Sequence, residues 1–395
     1  MRERSAFLDL SLTAPGMLAL MLAQFLSALA DNAVLIAAIA LVKAAGQGGQ
    51  VPWLQAAFVM PFILLAPWLG RLADAFPKGR VMLVANGVKL AGAALLAAGL
   101  APVAAYGLIG IGAAAYSPAK YGILSQLFRP DRLVKANGLL EGSTIVAILL
   151  GVVLGGLLAD RSMSLALWSI LGCYGLAAIS NLLIPAVAAE KAGPGAGVVE
   201  LARRFGGTLR SLVSDRDARF SLFGTAVFWG SGSTLRLMLF AWVPAVLGIA
   251  DNQTPANLMG ALSVGIVIGA TAAGLWVSLG KVNRALFGGL LLGPLVMALA
   301  GVHGLGAAYG LMAAVGACGG FFVVPLNALL QERGHETVGA GQALAVQNFI
   351  ENLAMLLFVG LYSAASGGGL PVNVSAAAFG LLILACLLAL AAGRR

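Results

Sequence analysis

Apolar stretches of about 20 residues or more recur along this chain with only short polar loops between them. A helix of ~20 apolar residues crosses a bilayer. We read twelve such spans, near 15–43, 51–73, 80–100, 103–127, 132–158 and 164–188, then 218–247, 256–279, 284–302, 304–332, 338–364 and 371–393. Composition agrees: 60% of the 395 residues are hydrophobic and 10% are charged, against about 25% charged in a soluble domain. There is too little polar side chain to cover a water-exposed surface. The 53 glycines suit membrane helices, which associate through small residues that let backbones approach closely.

The formal net charge of +9 does not point to nucleic acid. The basic residues sit in short loops between apolar runs and form no basic helix with interleaved aromatics. With both termini cytoplasmic, inside loops and tails carry 19 of the 24 lysines and arginines. Outside loops carry Lys43 and Arg161, and Lys89, Lys120 and Arg236 lie within spans. That asymmetry sets the orientation. Residues 189–217 form the one long polar stretch, with Arg203, Arg204, Arg210 and Arg216 on an amphipathic piece. It reads as a linker lying along a membrane surface. Three domains follow: a six-helix bundle over 1–188, the linker 189–217, and a second six-helix bundle over 218–395. The start of the chain shows no cleavable signal pattern.

Several chemistries find no support. Cys173, Cys318 and Cys386 all fall inside expected spans, so neither a disulfide framework nor a metal spacing is expected. No phosphate-binding loop is present, so ATP does not drive this chain directly. His303 and His335 lie at loops, and no serine occupies a nucleophile elbow. No catalytic residue, metal site or cofactor is expected, and the chain does not read as an enzyme.

The two halves resemble each other at an offset of about 204–207 residues. The run from Gly70 to Arg80 ends span 2, and the run from Gly274 to Arg284 ends span 8. Tyr116-Ser117-Pro118-Ala119-Lys120 pairs with Val323-Val324-Pro325-Leu326-Asn327, and Val134-Lys135-Ala136 pairs with Val338-Gly339-Ala340. Gly70, Leu72, Ala73, Asp74, Lys78 and Arg80 resemble the signature loop between spans 2 and 3 of the major facilitator superfamily. Ala75 and Pro77 depart from that pattern, and Ser278 stands where the second copy would carry its Asp. The resemblance implies an all-α membrane fold of two parallel six-span repeats, with the substrate site between them. It also implies that Asp74 braces the cytoplasmic side of an outward-facing state. An incidental Asp in a positive-inside loop is the plainer alternative.

Charges inside spans are costly and face interior cavities. Asp31, Lys120, Glu141, Arg236 and Glu351 are the strongest cases, and Lys89 is a weaker sixth. Spans 1, 4, 7 and 10 line the central cavity in the superfamily. Asp31 and Arg236 occupy nearly repeat-equivalent positions, 205 residues apart, with opposite sign. Each charge also has a structural reading. Asp31 and Arg236 can pair and hold the halves together. Glu141, near Arg132 and Lys135, can sit at a cytoplasmic gate or surface. Lys89 can snorkel. Lys120 can meet a carbonyl or carboxylate. Glu351 can belong to a buried network with Gln347, Asn348 and Asn352. Pro61, Pro67, Pro118, Pro244 and Pro325 should kink their helices, and Trp68, Trp229 and Trp242 read as packing or interface residues.

Longer segments are more specific. Residues 24–33, 114–124 and 319–333, with Val134 to Gly138 and Trp242-Val243-Pro244, resemble the bacterial lysophospholipid transporter family. The similarity runs through essentially the whole chain and is weakest in the linker and the last span. It implies alternating-access transfer of lysophospholipids, chiefly lysophosphatidylethanolamine, from the outer to the inner leaflet of the Gram-negative inner membrane. There an acyltransferase/acyl-carrier-protein synthetase restores the missing chain. The candidate substrate-binding residues are Asp31, Asn32, Lys120, Arg236, Asn327, Gln347, Asn348 and Glu351. Gly70, Asp74, Lys78, Arg80 and Glu141 are candidates for gating. Arg236 or Lys120 would hold the phosphate, and Asp31 or Glu351 would meet the ammonium. A drug/proton antiporter of the same superfamily, with Asp31 or Glu351 carrying the proton, is the competing function; a non-transporting partner of a lipid enzyme is a further one.

Overall fold

The computed structural model describes residues 12–47, 51–189, 198–249 and 253–394. The start of the chain and the part of the linker around Pro194 lie outside these residues. All regular structure among the described residues is helical. The helices are α1 (Pro15–Ala44), α2 (Val51–Leu64), α3 (Ala66–Ala75), α4 (Lys78–Ala97), α5 (Pro102–Gly122), α6 (Leu124–Leu127), α7 (Pro130–Arg161) and α8 (Met163–Leu182). They continue as α9 (Val198–Ser214), α10 (Arg216–Trp242), α11 (Gln253–Trp276), α12 (Ala285–Ala298), α13 (Leu305–Thr337), α14 (Ala340–Gly367) and α15 (Val372–Ala392).

Among the described residues, ten helices are long and apolar enough to cross a membrane, and eleven if the bent pair of α2 and α3 is one span. That pair turns by 62°. Pro67 lies in the first turn of α3, where its missing N–H costs nothing and its ring blocks a continuous helix from α2. The segment expected as a fourth span is α5, 21 residues long, or about 31 Å at 1.5 Å per residue. Tyr, Gly, Ser and Pro dilute its hydropathy, while its length matches the ~30 Å hydrocarbon core. Pro61, Pro118 and Pro325 lie inside α2, α5 and α13. Pro244 falls in the π-helical turn Val243–Leu247 that closes α10.

The described residues form two compact units. The first comprises those of Met1–Arg129, Ser143–Ser211 and Gln331–Phe349; the second comprises those of Pro130–Gly142, Leu212–Leu330 and Ile350–Arg395. Within the first, α4 packs on α5 and α8, α1 on α8, and α2 on α5. Glycine makes these approaches possible. A methyl group on Gly110 would come 2.7 Å from the main chain of Phe58, and one on Gly155 would come 2.7 Å from Ala33. Within the second, α12 and α10 both pack on α15. Gly265 and Gly269 of α11 abut Ala313 and Ala317 of α13, and Gly316 and Gly320 of α13 abut Leu262 and Ile266 of α11. Large apolar side chains such as Leu157, Trp168, Leu275 and Phe287 stand exposed on the long helices. In water such a surface would drive association; against lipid tails it carries no penalty.

Candidate functional site

Two polar clusters are built inside the first unit. One surrounds Asp31, midway along the apolar helix α1. Its Oδ2 accepts from Lys89 Nζ of α4 at 2.7 Å, and its Oδ1 accepts from the Tyr174 hydroxyl of α8 at 2.8 Å. Lys89 also donates to Ser27 Oγ at 2.9 Å, and Ser27 donates to Asn86 Oδ1 at 2.7 Å. The ammonium lies 4.8 Å from the centroid of the Tyr116 ring, a cation–π contact. The Lys89 side chain is 2% exposed and that of Asp31 is 17% exposed. Lys89 therefore does not snorkel. It is the buried counter-charge of Asp31, held by hydroxyl and ring neighbours that compensate for lost water. Gly112 of α5 leaves it room, since a methyl group there would come 2.6 Å from Lys89 Cγ.

Other polar residues of this unit stand on α1, α5 and α14. Asn32 turns its amide onto its own helix, donating to the Ala28 carbonyl at 2.8 Å. Gln24 ties α1 to α7, donating to Ser143 Oγ at 2.6 Å and accepting from Thr144 Oγ1 at 2.9 Å. Lys120 of α5 is buried with its ammonium 4.2 Å from the Tyr121 ring centroid. One turn earlier, Ser117 Oγ accepts from Asn348 Nδ2 at 3.0 Å. Gln347, beside Asn348 on α14, is buried. In the second unit Glu141, Asn327 and Glu351 are all buried, with Asn352 beside Glu351. Arg236 is exposed on α10.

The second cluster joins the end of α3 to the start of α14. Asp74 Oδ1 accepts from the Gly341 N–H at 2.7 Å, and Oδ2 accepts from the Gln342 N–H at 2.9 Å. A carboxylate here meets two of the unpaired donors of a helix N-terminus and the positive end of its dipole. Lys78, one turn on from Asp74, lies 3.4 Å from Oδ1, and both side chains are buried. Small residues make the approach possible. A methyl group on Gly341 would come 2.6 Å from Asp74 Oδ1, and one on Gly70 would come 2.8 Å from Ala345 Cβ. Arg80 is exposed.

Helix α9 covers this cap. Leu201, Phe205, Thr208, Leu209 and Leu212 form its inward face at helical spacing, while Arg203, Arg204 and Arg210 point outward. Phe205 meets Phe349 edge to face at 5.6 Å, and Thr208 Oγ1 donates to Gln342 Oε1 at 3.3 Å. Arg204 binds Glu200 at 2.8 Å and holds that exposed carboxyl below the usual carboxylate range. Ser27, Asn86, Tyr116, Tyr174 and α9's contacts escaped the reading from sequence. Their one shared signal was the presence of a hydroxyl, an amide or a ring in an apolar span.

The profile of the Major Facilitator Superfamily matches residues 20–359. The lysophospholipid transporter LplT of Enterobacter sp. strain 638 is 52% identical over 383 residues, covering 97% of this chain and 96% of that protein. Its namesake from Escherichia coli O1:K1 is 50% identical over 390 residues, with 98% of each chain covered. Among solved structures, the human organic anion transporter MFSD10 superposes with a TM-score of 0.78 at 18% identity, covering 95% of this chain and 99% of that one. The E. coli fucose:proton symporter FucP superposes with a TM-score of 0.75 at 15% identity, covering 96% and 98%. At those identities the two structures speak to fold alone.

Proposed function

The chain belongs to the major facilitator superfamily, and we propose that it is a lysophospholipid transporter acting chiefly on lysophosphatidylethanolamine. The observation that carries this reading is the 50–52% identity, over nearly the full length, to proteins named as lysophospholipid transporters. In the fuller form of the proposal, twelve spans form two six-helix halves, residues 1–188 and 218–395, joined by the linker 189–217, with both termini cytoplasmic. The lipid passes from the outer to the inner leaflet of a Gram-negative inner membrane. An acyltransferase/acyl-carrier-protein synthetase then reacylates it.

The chemistry of the clusters supports that cargo. A lysophosphatidylethanolamine head group offers one phosphate and one ammonium. Asp31 keeps part of its carboxylate open, so the lipid ammonium can share or replace Lys89 there. Lys120 supplies a point charge and Arg236 a planar fork for the phosphate. Asn32, Asn327, Gln347, Asn348 and Glu351 complete the polar lining in this proposal. Gly70, Asp74, Lys78, Arg80 and Glu141 serve gating. The cap of Asp74 on α14 forms in one transport state and opens in another.

The test is leaflet-to-leaflet movement of labelled lysophosphatidylethanolamine in oriented vesicles holding purified protein, with and without an ion gradient. Wild type should move the lipid, and Asp31→Asn and Arg236→Ala should stop it. No movement under any gradient, together with gradient-driven efflux of cationic drugs, would replace the proposal with drug/proton antiport.

A further inference from the structure

A groove of about 360 Å³ runs between α10 and α15 in the second unit, away from every cluster described above. Its walls are apolar: Phe220, Phe223, Val227, Leu390 and Ala389. At one end stand three guanidinium groups, Arg216 and Arg219 at the start of α10 and Arg394 just past the end of α15. Both helices are among those apolar enough to cross a membrane, and Phe223 is 42% exposed. The arginines therefore mark the level of the head groups, and the groove descends from them along the hydrocarbon. From Arg216 to Val227 is eleven residues, about 16 Å of helix.

The charges there are ordered. Arg394 pairs with Asp217, donates to Asn283 Oδ1 and lies 4.7 Å from the Phe220 ring centroid. Asp215 Oδ1 caps α10 by accepting from the N–H groups of Asp217 and Ala218. Arg216 donates to the Arg394 carbonyl and Arg219 to the Val213 carbonyl, so two guanidinium groups are spent on main-chain oxygens that carry no charge. Three positive groups against two carboxylates leave the end of the groove positive.

We propose that this groove binds an intact anionic phospholipid of the surrounding leaflet. Arg216 and Arg219 hold the phosphodiester, and an acyl chain lies along Phe223, Val227 and Leu390. A guanidinium fork matches two phosphate oxygens, and basic pockets between membrane helices select anionic head groups in this way. The apolar walls distinguish this occupant from free phosphate, which would use the arginines and leave the walls bare.

Native mass spectrometry of the full-length protein, titrated with phosphatidylglycerol or phosphatidylcholine, reads the site. Wild type should retain one phosphatidylglycerol in preference to phosphatidylcholine. The double variant Arg216→Ala/Arg219→Ala should weaken that binding about thirtyfold. Ala389→Trp fills the groove and keeps both arginines, so it should also expel the lipid, and it answers the question if the double variant does not fold. Arg210→Ala on α9 should change nothing. Equal retention of phosphatidylcholine, or retention by both groove variants, would overturn the proposal. So would displacement by inorganic phosphate alone, which would make it a free-anion site. Equal binding of lysophosphatidylethanolamine would assign the groove to the cargo instead.

Discussion

Asp31→Asn changes one charge and almost no volume, and Tyr174 can still donate to the remaining carbonyl oxygen. What it removes is the counter-charge of Lys89, whose side chain is 2% exposed. Breaking a buried pair from one side costs about 3–5 kcal/mol, because the other charge stays in place without compensation. Scaled to 395 residues, that lowers the unfolding midpoint by about 4–6 °C. The midpoint can be followed in detergent by intrinsic fluorescence of purified protein. Adding Lys89→Met removes the stranded charge and should return most of the loss. The same pair of variants separates two roles for Asp31. If it only braces the helices, the double variant regains both stability and lipid movement. If it meets the substrate ammonium, stability returns and transport does not. A single variant that melts within about 1 °C of wild type would refute the reasoning, since Lys89 would then be solvated in the membrane-embedded protein.

Three further outcomes follow from the second cluster and from the close packing around Lys89. Asp74→Asn keeps one acceptor and turns an N–H toward the other donor of α14. Losing a charge-assisted bond of about 1.5–3 kcal/mol should slow initial lysolipid uptake by at least about tenfold, and Asp74→Glu should fail as well because Gly70 and Gly341 leave no space for a methylene. Phe205→Ala should loosen α9 and speed tryptic cleavage after Arg203, Arg204 and Arg210 by about tenfold, about 1.4 kcal/mol of lost packing; an unchanged cleavage rate would mean that α9 is held elsewhere. Gly112→Val sets side-chain atoms against Lys89 and Ala85 and should lower the unfolding midpoint in the same assay, whereas Gly99→Ala, at a φ of 76° with open space around it, should cost only about 1–2 kcal/mol of backbone strain.

The spans were legible because lipid demands one thing of a helix, an apolar run of fixed length, and that demand is local. Pro67 was legible as a break, though its size, 62°, was not. The motif around Asp74 was legible as a pattern, and its mechanism followed only when Gly341 and Gln342, 267 and 268 residues away, were seen to donate to it. Lys89 resisted for the same reason. Read alone, a lysine in an apolar helix snorkels as readily as it pairs. The deciding facts lie on three other helices: Asp31 on α1, Tyr174 on α8, and the missing side chain at Gly112 on α5. The amphipathic pattern of α9 fits a helix lying along a membrane surface; the structure adds that Phe205 on its apolar face meets Phe349 and that Thr208 donates to Gln342, contacts that a hydrophobic stripe does not specify.

Asp31 and Asp74 of the first unit are satisfied in different ways, and the difference sorts their roles. Asp74 gives both oxygens to main-chain N–H groups at 2.7 and 2.9 Å, with the Lys78 ammonium a longer contact at 3.4 Å; those N–H groups keep their positions and cannot lose a proton at any ordinary pH. Its side chain is 2% exposed. Such a carboxylate can be released only by moving the helix it caps, so it responds to helix displacement and to little else. Asp31 gives its oxygens to an ammonium and a phenol at the tips of two side chains, and it stays 17% exposed. Both partners are side-chain groups rather than main chain, and a ligand cation can take the place of the ammonium at the open part of the carboxylate. A carboxylate meant to sense helix position belongs in the first arrangement, and one meant to meet a soluble or lipid ammonium belongs in the second. On this argument, exchanging the two environments should fail in both directions. Lysolipid ammonium should not compete with the N–H groups around Asp74, and neutralising Asp31 should leave the α14 cap closed, as cysteine accessibility at Ala340 would report.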